Sequence, residues 1–445
     1  MRRRARRGGG RQVELVIEGL GARGDGFASL DGRPVFVPFT LAGDRVRVRL
    51  TGERGGGYKA EVLELLEAGA ARIEPPCPHF GTCGGCALQH LSDAAYGDWK
   101  RDLVRQALAQ RGLHEVPIAA LVRIAPGTRR RATLAATRDG GKVVLGFHGR
   151  ESHRVVDLET CLVLTPGLTA LLPALRAALV PLLAAREVAA LTLCETETGI
   201  DLLIVSAAAP NLAAREALAA LAEAQDLARL SWAQLSWAGR PTAGTAPEPE
   251  PVVLRRPPSL RFAEVAVVPP PGGFLQPTAA GEAALVERVL AYLPEGAETI
   301  AELYAGCGTF TFPLAKLHGT GAVRVHAVER DAAALAALWA AARQAGLAGR
   351  ITVTAQDLAR APVLAEDLEG GDCVVFDPPR AGAREQAAEI ARSSVPAAVA
   401  VSCNPKTFAR DARILVDGGF ALVEVTPVDQ FPWTGHLELV AKFRR

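Results

Sequence analysis

From residue 273 onward, short strand-like stretches recur at 299–303, 323–328, 351–354, 373–376 and 397–401, and alanine-rich stretches such as 332–345 separate them. Runs this short read as buried strands, and the stretches between them have helical spacing. Regular β-α-β alternation leaves little choice of fold. It predicts an α/β architecture, a doubly wound, Rossmann-like parallel sheet whose ligands lie beyond the carboxyl ends of its strands. The residues able to do chemistry fall at those ends.

The first such run leads into Glu302-Leu303-Tyr304-Ala305-Gly306-Cys307-Gly308-Thr309-Phe310. Gly306 and Gly308 let the backbone pass close to a ligand, and a helix start just after them offers free N–H groups. The Gly-x-Gly-x-x-Gly pattern of nicotinamide sites is absent. The second run ends at Glu329, where a carboxylate can accept hydrogen bonds from both ribose hydroxyls. Beyond the third lies Asp357, suited to an adenine amino edge. Together they make an adenosyl site of the kind that binds S-adenosylmethionine. Taken singly, each is as readily a helix cap or an ion-pair partner.

The fourth run ends in Asp377-Pro378-Pro379-Arg380, and the fifth in Ser402-Cys403-Asn404-Pro405. A cysteine at the mouth of a parallel sheet is placed to attack. Enzymes that methylate exocyclic amines carry an aromatic residue after the two prolines, where this chain has Arg380. The combination points instead to a ring carbon that must first be activated. A thiolate adding to C6 of uracil makes C5 nucleophilic, and a base must then remove the C5 proton so that the thiolate can leave. Glu438, inside the apolar run 437–441, is the candidate base, because an unpaired carboxylate there is costly unless it has a function. The alternative is an edge strand with Glu438 on its wet face. His436 is a second candidate, better suited to an orienting role.

The remaining half reads as RNA-binding. The 445 residues, 49% hydrophobic and 22% charged, suit two or three domains of a cytoplasmic protein. The net charge of +2 conceals six arginines in the first twelve residues, which leaves about −4 for the rest. That arm can fasten to phosphates or simply be a solvated tail. Residues 11–68 alternate short strands with glycine turns, as in a small β-barrel. The basic stretch 123–154, with Arg123, Arg129, Arg130, Arg131, Arg138, Lys142, Arg150 and Arg154, reads as outward charges on hairpin strands and a footprint for RNA. Trp232 and Trp237 are expected in the core, and 239–251 as an exposed loop. Of eight cysteines, Cys77, Cys83 and Cys86 cluster, Cys161 stands apart, and Cys194 and Cys373 lie in apolar runs that suit buried thiols. In a cytoplasmic chain the cluster favours metal ligation over disulfides.

Two resemblances follow from these motifs. Gly32-Arg33-Pro34-Val35-Phe36-Val37-Pro38 with Gly43-Asp44 resembles a TRAM domain, an OB-like RNA-binding module. Gly273-Phe274-Leu275-Gln276, 303–310, 376–382, 402–411 and His436-Leu437-Glu438 resemble the bacterial RNA 5-methyluridine methyltransferases that carry an iron–sulfur cluster. The resemblance implies Cys403 as nucleophile and Glu438 as base, with Gln276, Tyr304, Thr309, Glu329, Asp357 and Asp377 lining the cofactor site. It also implies Cys77, Cys83, Cys86 and Cys161 as ligands of a structural 4Fe–4S cluster, although four thiolates suit zinc as well. Two positions depart from the pattern: Pro277-Thr278 stands where asparagine usually follows the glutamine, and Thr309 where asparagine is frequent.

By that analogy the chain divides into a basic tail (1–10), a TRAM barrel (11–68), a central iron–sulfur and RNA-binding domain (69–265) and a methyltransferase domain (266–445). The barrel favours 23S ribosomal RNA as partner over transfer RNA, and a monomer is expected. The competing readings are a noncatalytic RNA-binding factor and an amine-directed methyltransferase, against which Cys403, Glu438 and Arg380 argue.

Overall fold

The computed structural model describes residues 10–234, 248–317 and 322–445. The arginine arm, Trp237 and most of 239–251 lie outside them. The five expected strands form at Thr299–Leu303, Arg324–Glu329, Ile351–Ala355, Cys373–Phe376 and Ala397–Ser402. Ala421–Asp429 and Glu438–Arg444 follow them. Numbered in that order, the seven strands lie 3-2-1-4-5-7-6 across the sheet, with Val122–Arg123 added at the far edge. The first five are parallel, and Glu438–Arg444 runs antiparallel between its neighbours. Alternate residues bury opposite faces: Ile300, Val325, Val375 and Val399 pack on one side, and Val328, Val374, Phe376 and Ala400 on the other. The sheet order reverses between Thr299–Leu303 and Cys373–Phe376, where an open α/β sheet leaves a crevice.

A second sheet in the same unit holds Arg131–Asp139, Lys142–Gly146, Val188–Thr196, Gly199–Ser206, Arg229–Gln234 and Glu250–Leu254. Trp232 is buried here, its ring N–H donating to the Ala208 carbonyl at 3.0 Å. The expectation that this region's arginines all face outward is corrected. Arg130 is buried, with its guanidinium on Glu282 (2.7 Å) and on the Gln276 carbonyl (3.3 Å). Arg131 donates to the carbonyls of Gly272 and Gly273 (3.0 Å each). These two brace the segment that carries Gln276, while Arg123, Lys142 and Arg154 stay exposed.

Among the described residues, contacts group 10–103 with 433–436 as a separate compact unit. Its sheet curls into a barrel. Gln12–Val16 pairs with Arg45–Arg54 at one end of the ladder, and Gly19–Leu20, a little further along the chain, pairs with Gly26–Leu30 at the other. Ile17 and Glu18 between them bring the two ends together, the Ile17 amide donating to the Asp44 carbonyl (2.8 Å) and the Glu18 amide to the Phe27 carbonyl (2.9 Å). On its surface Arg45, Arg47 and Arg49 are matched to Glu14, Glu61, Glu64 and Glu67. Such exposed pairs are worth at most about 1 kcal/mol each. Asp44 is wholly buried and accepts from the Leu41 and Gly69 amides (2.7 and 2.9 Å) and from Arg72 Nε (3.0 Å), which ties the barrel to the segment that follows it. Among the described residues no helix is long and apolar enough to cross a membrane.

Candidate active site

The loop after the first parallel strand turns sharply. Tyr304, Gly306 and Gly308 all have positive φ (66°, 57° and 104°), and the Tyr304 and Ala305 amides both donate to the Val328 carbonyl (2.9 and 3.1 Å). A Cβ on Gly306 would meet nothing within 4 Å, so the backbone there faces open space. On Gly308 it would sit 2.5 Å from the Phe312 ring, so that glycine serves helix packing. Glu329 holds the loop: its Oε2 accepts from the Gly306 amide (3.0 Å) and its Oε1 from the Asp331 amide (2.7 Å). Asp357 accepts from the Ala359 amide (3.2 Å) and pairs loosely with Arg330 and Arg360 (3.6 and 3.7 Å). Thr309 is half-buried at the end of the loop, and Cys307 beside it is buried. Open glycine backbone rimmed by two carboxylates matches an adenosyl ligand.

Cys403 follows the last buried residue of its strand and is half-buried. Asn404 caps the next helix, Pro405–Asp417, accepting from the Lys406 amide (3.1 Å), and donates to the Arg380 carbonyl (3.0 Å). The hydroxyl of Thr407 reaches the same carbonyl (3.3 Å), and Asp411 accepts from the Ala383 amide (2.7 Å). These bonds fasten the Asp-Pro-Pro-Arg loop to the helix that Cys403 precedes.

Glu438 is 4% exposed, and its strand is covered on both edges. The wet-edge alternative therefore falls. In the ladder Ser402 stands opposite Leu439, so one further step brings Cys403 level with Glu438. Burial pushes the Glu438 carboxyl well above its ordinary range, with Asp377 adding and Gln430 and Arg380 opposing. Burial also raises Asp377. The Cys403 thiol is pushed up to about 12 by burial and by both carboxyls, with Arg380 opposing. Two like charges so close cannot both ionise freely, which suits a pair that holds and yields a proton.

Gln276 is buried beside them. Its amide donates to Asp377 Oδ2 (3.4 Å), and its oxygen accepts from Gln430 (2.7 Å). Sequence reasoning missed Gln430, since a neutral amide after a strand carries no signal of its own. It also passed over Glu302, a buried acid at the strand end just before the glycine loop. No hydrogen bond of ordinary geometry reaches the Glu302 carboxyl, although Thr311 approaches it, and burial pushes it up to about 8. His436 is exposed.

Cys77, Cys83, Cys86 and Cys161 are all half-buried and outside any disulfide, a donor set fit for a cluster or for zinc. Among the described residues, however, no three His, Cys, Asp or Glu side chains converge to hold a metal. Cys194, Cys307 and Cys373 are buried, and burial pushes their thiols up to about 11, 12 and 12. They are core residues.

Residues 267–443 match the family model described as tRNA (Uracil-5-)-methyltransferase, and residues 6–63 match the TRAM domain. An uncharacterized RNA methyltransferase of Caulobacter vibrioides is 43% identical over 97% of this chain and 100% of its own. The Halomonas elongata 23S rRNA (uracil(1939)-C(5))-methyltransferase RlmD is 37% identical over 96% of this chain and 88% of its own. The chain belongs to the RNA uracil-C5 methyltransferase family. The fold agrees: a Pyrococcus abyssi tRNA (uracil-54, C5)-methyltransferase, solved with S-adenosyl-L-homocysteine, superposes with a TM-score of 0.73 at 23% identity, over 97% of this chain and 100% of that one. As a family member the protein is an RNA (uracil-C5)-methyltransferase with a class I methyltransferase fold and an N-terminal TRAM domain.

Proposed function

We propose that the protein methylates C5 of a uridine in 23S ribosomal RNA, with S-adenosylmethionine as donor, Cys403 as nucleophile and Glu438 as base. The observation that carries this reading is the strand register that sets Cys403 level with a buried Glu438. As thiolate, Cys403 Sγ bonds to uracil C6, and the C5=C6 electron pair moves onto the C4 carbonyl. S-adenosylmethionine supplies a methyl group already activated on a sulfonium, which C5 takes as that pair returns. Glu438 then accepts the C5 proton, the C5=C6 bond re-forms and the thiolate is expelled. Gly306, Gly308, Glu329 and Asp357 hold the adenosyl part of the donor, with Gln276, Tyr304, Thr309 and Asp377 completing the pocket. The uridine must leave its helix to reach Cys403.

The 23S assignment rests on the Halomonas relative and the TRAM match, and the Pyrococcus neighbour keeps transfer RNA as the second substrate to assay. In this reading Cys77, Cys83, Cys86 and Cys161 hold a 4Fe–4S cluster of structural role, supported by their spacing and by their standing outside any disulfide. Iron and sulfide content after anaerobic purification checks it against zinc. The division into tail, barrel, central domain and methyltransferase domain belongs to the same reading.

The test uses S-adenosylmethionine and RNA containing 5-fluorouridine, since fluorine at C5 cannot leave as a proton. A denaturation-stable, methylated protein–RNA adduct at Cys403 is expected with a 23S transcript. An adduct with transfer RNA alone would move the substrate assignment. No adduct with either, while RNA still binds, would overturn the thiolate mechanism.

A further inference from the structure

Gln430 has no exposed surface and lies directly after the strand Ala421–Asp429. One N–H of its carboxamide goes to Gln276 Oε1 (2.7 Å). Val428 stands opposite Glu438 in the ladder, so Gln430, two residues on, lies diagonally beside Glu438 on the same face, and its amide opposes the rise of the Glu438 carboxyl as a donor does. Its oxygen accepts from the Thr278 hydroxyl (3.3 Å), which itself accepts from the Gly281 amide (3.0 Å). Gln276 passes its own amide to Asp377 Oδ2 (3.4 Å). Two amides therefore run in series between the two carboxyls of the site. The fit is tight: a Cβ on Gly281 would fall 2.4 Å from Gln430 Oε1.

The Thr278 hydroxyl accepts from the Gly281 amide and gives its one proton to Gln430, whose oxygen is the acceptor. The Gln430 nitrogen is left as donor to both Gln276 and Glu438. An amide does not titrate, so the Glu438 oxygen that it touches cannot carry a proton toward it.

We propose that Gln430 is a positioning residue for proton removal, holding one oxygen of Glu438 so that the other is left to take the C5 proton. This rests on the reading of Glu438 as base. The charged or titratable groups facing Glu438 are Asp377 and Arg380 from the loop after Cys373–Phe376, and Cys403 from the end of Ala397–Ser402. Removing the Gln430 donor leaves those unchanged and takes one hydrogen bond from the carboxylate.

The test compares Gln430→Met and Glu438→Gln with the parent enzyme, using S-adenosylmethionine and ordinary uridine-containing RNA. Donor binding, appearance of the methylated Cys403 adduct and release of product are followed in a single turnover at several pH values. Gln430→Met is expected to bind donor and form adduct as the parent does. It should release product roughly 10- to 100-fold more slowly, a share of the 10²–10⁴ that a general base supplies. The rise of its release rate with pH should also move to higher pH, because a carboxylate that loses a donor is harder to ionise. Release at the parent rate and pH would overturn the proposal, as would loss of donor binding and adduct formation together, which marks a purely structural residue. If Glu438→Gln itself accumulates no adduct, the base assignment fails, whatever Gln430→Met does.

Discussion

Arg130 and Glu282 meet at 2.7 Å with their side chains each only 10% exposed. Burial pushes the Glu282 carboxyl up against the pull of the arginine. The guanidinium also holds the Gln276 carbonyl, so the pair fixes the backbone of the segment feeding the active site. Arg130→Met is expected to lower stability by about 3–5 kcal/mol, because a buried acid is left without its partner. Adding Glu282→Leu should recover most of that loss. Denaturant midpoints of the two variants check both statements.

Cys403→Ala should abolish methylation, lowering turnover by roughly 10⁴-fold or more, as loss of a nucleophile does. Binding of RNA and of S-adenosylmethionine should persist, since the helix after Cys403 keeps its Asn404 cap. Methyl incorporation and filter binding on one preparation separate the two effects.

Glu329→Ala removes the acceptor of the Gly306 and Asp331 amides at once. Affinity for S-adenosylmethionine should fall at least about tenfold, the equivalent of ~1.4 kcal/mol. Glu329→Gln, which keeps an acceptor oxygen, should lose less. Calorimetric titration with S-adenosylhomocysteine measures both without turnover.

Glu302 gives a pH signature. Its carboxyl rises from 4.5 to about 8 on folding, so the folded state binds the proton more tightly than the unfolded chain. The stabilisation is complete below the unfolded value and is lost as pH climbs through the window from 4.5 to about 8. Glu302→Gln cannot titrate and should lack that slope, melting above the parent at pH 8 and beyond. Melting curves from pH 5 to about 9 decide it.

The parallel sheet was legible because short strand-like stretches alternate with alanine-rich helical ones, and two of the strands, Cys373–Phe376 and Ala397–Ser402, are almost wholly apolar. Cys403 was legible because proline and asparagine right after it stop the strand and start a helix. Glu438 left two readings open, which strand order alone resolves, since alternation along a strand says nothing about what covers its edges. Arg130 and Arg131 were misread for a related reason. Arginine in a basic run looks solvated, yet a long guanidinium can turn inward wherever backbone carbonyls lack donors. Gln430 was invisible, as its partner Gln276 lies 154 residues away in the chain.

The barrel's ladder leaves one edge open. Gly57–Glu67 pairs with Arg45–Arg54 along its length, but with Arg33–Val37 only at Tyr58 and Lys59. The side of 60–67 turned away from Arg45–Arg54 therefore carries amides and carbonyls that no described neighbouring strand takes. Such an edge is a template for an added strand, and the exposed Val62, Leu63 and Leu65 lie along it.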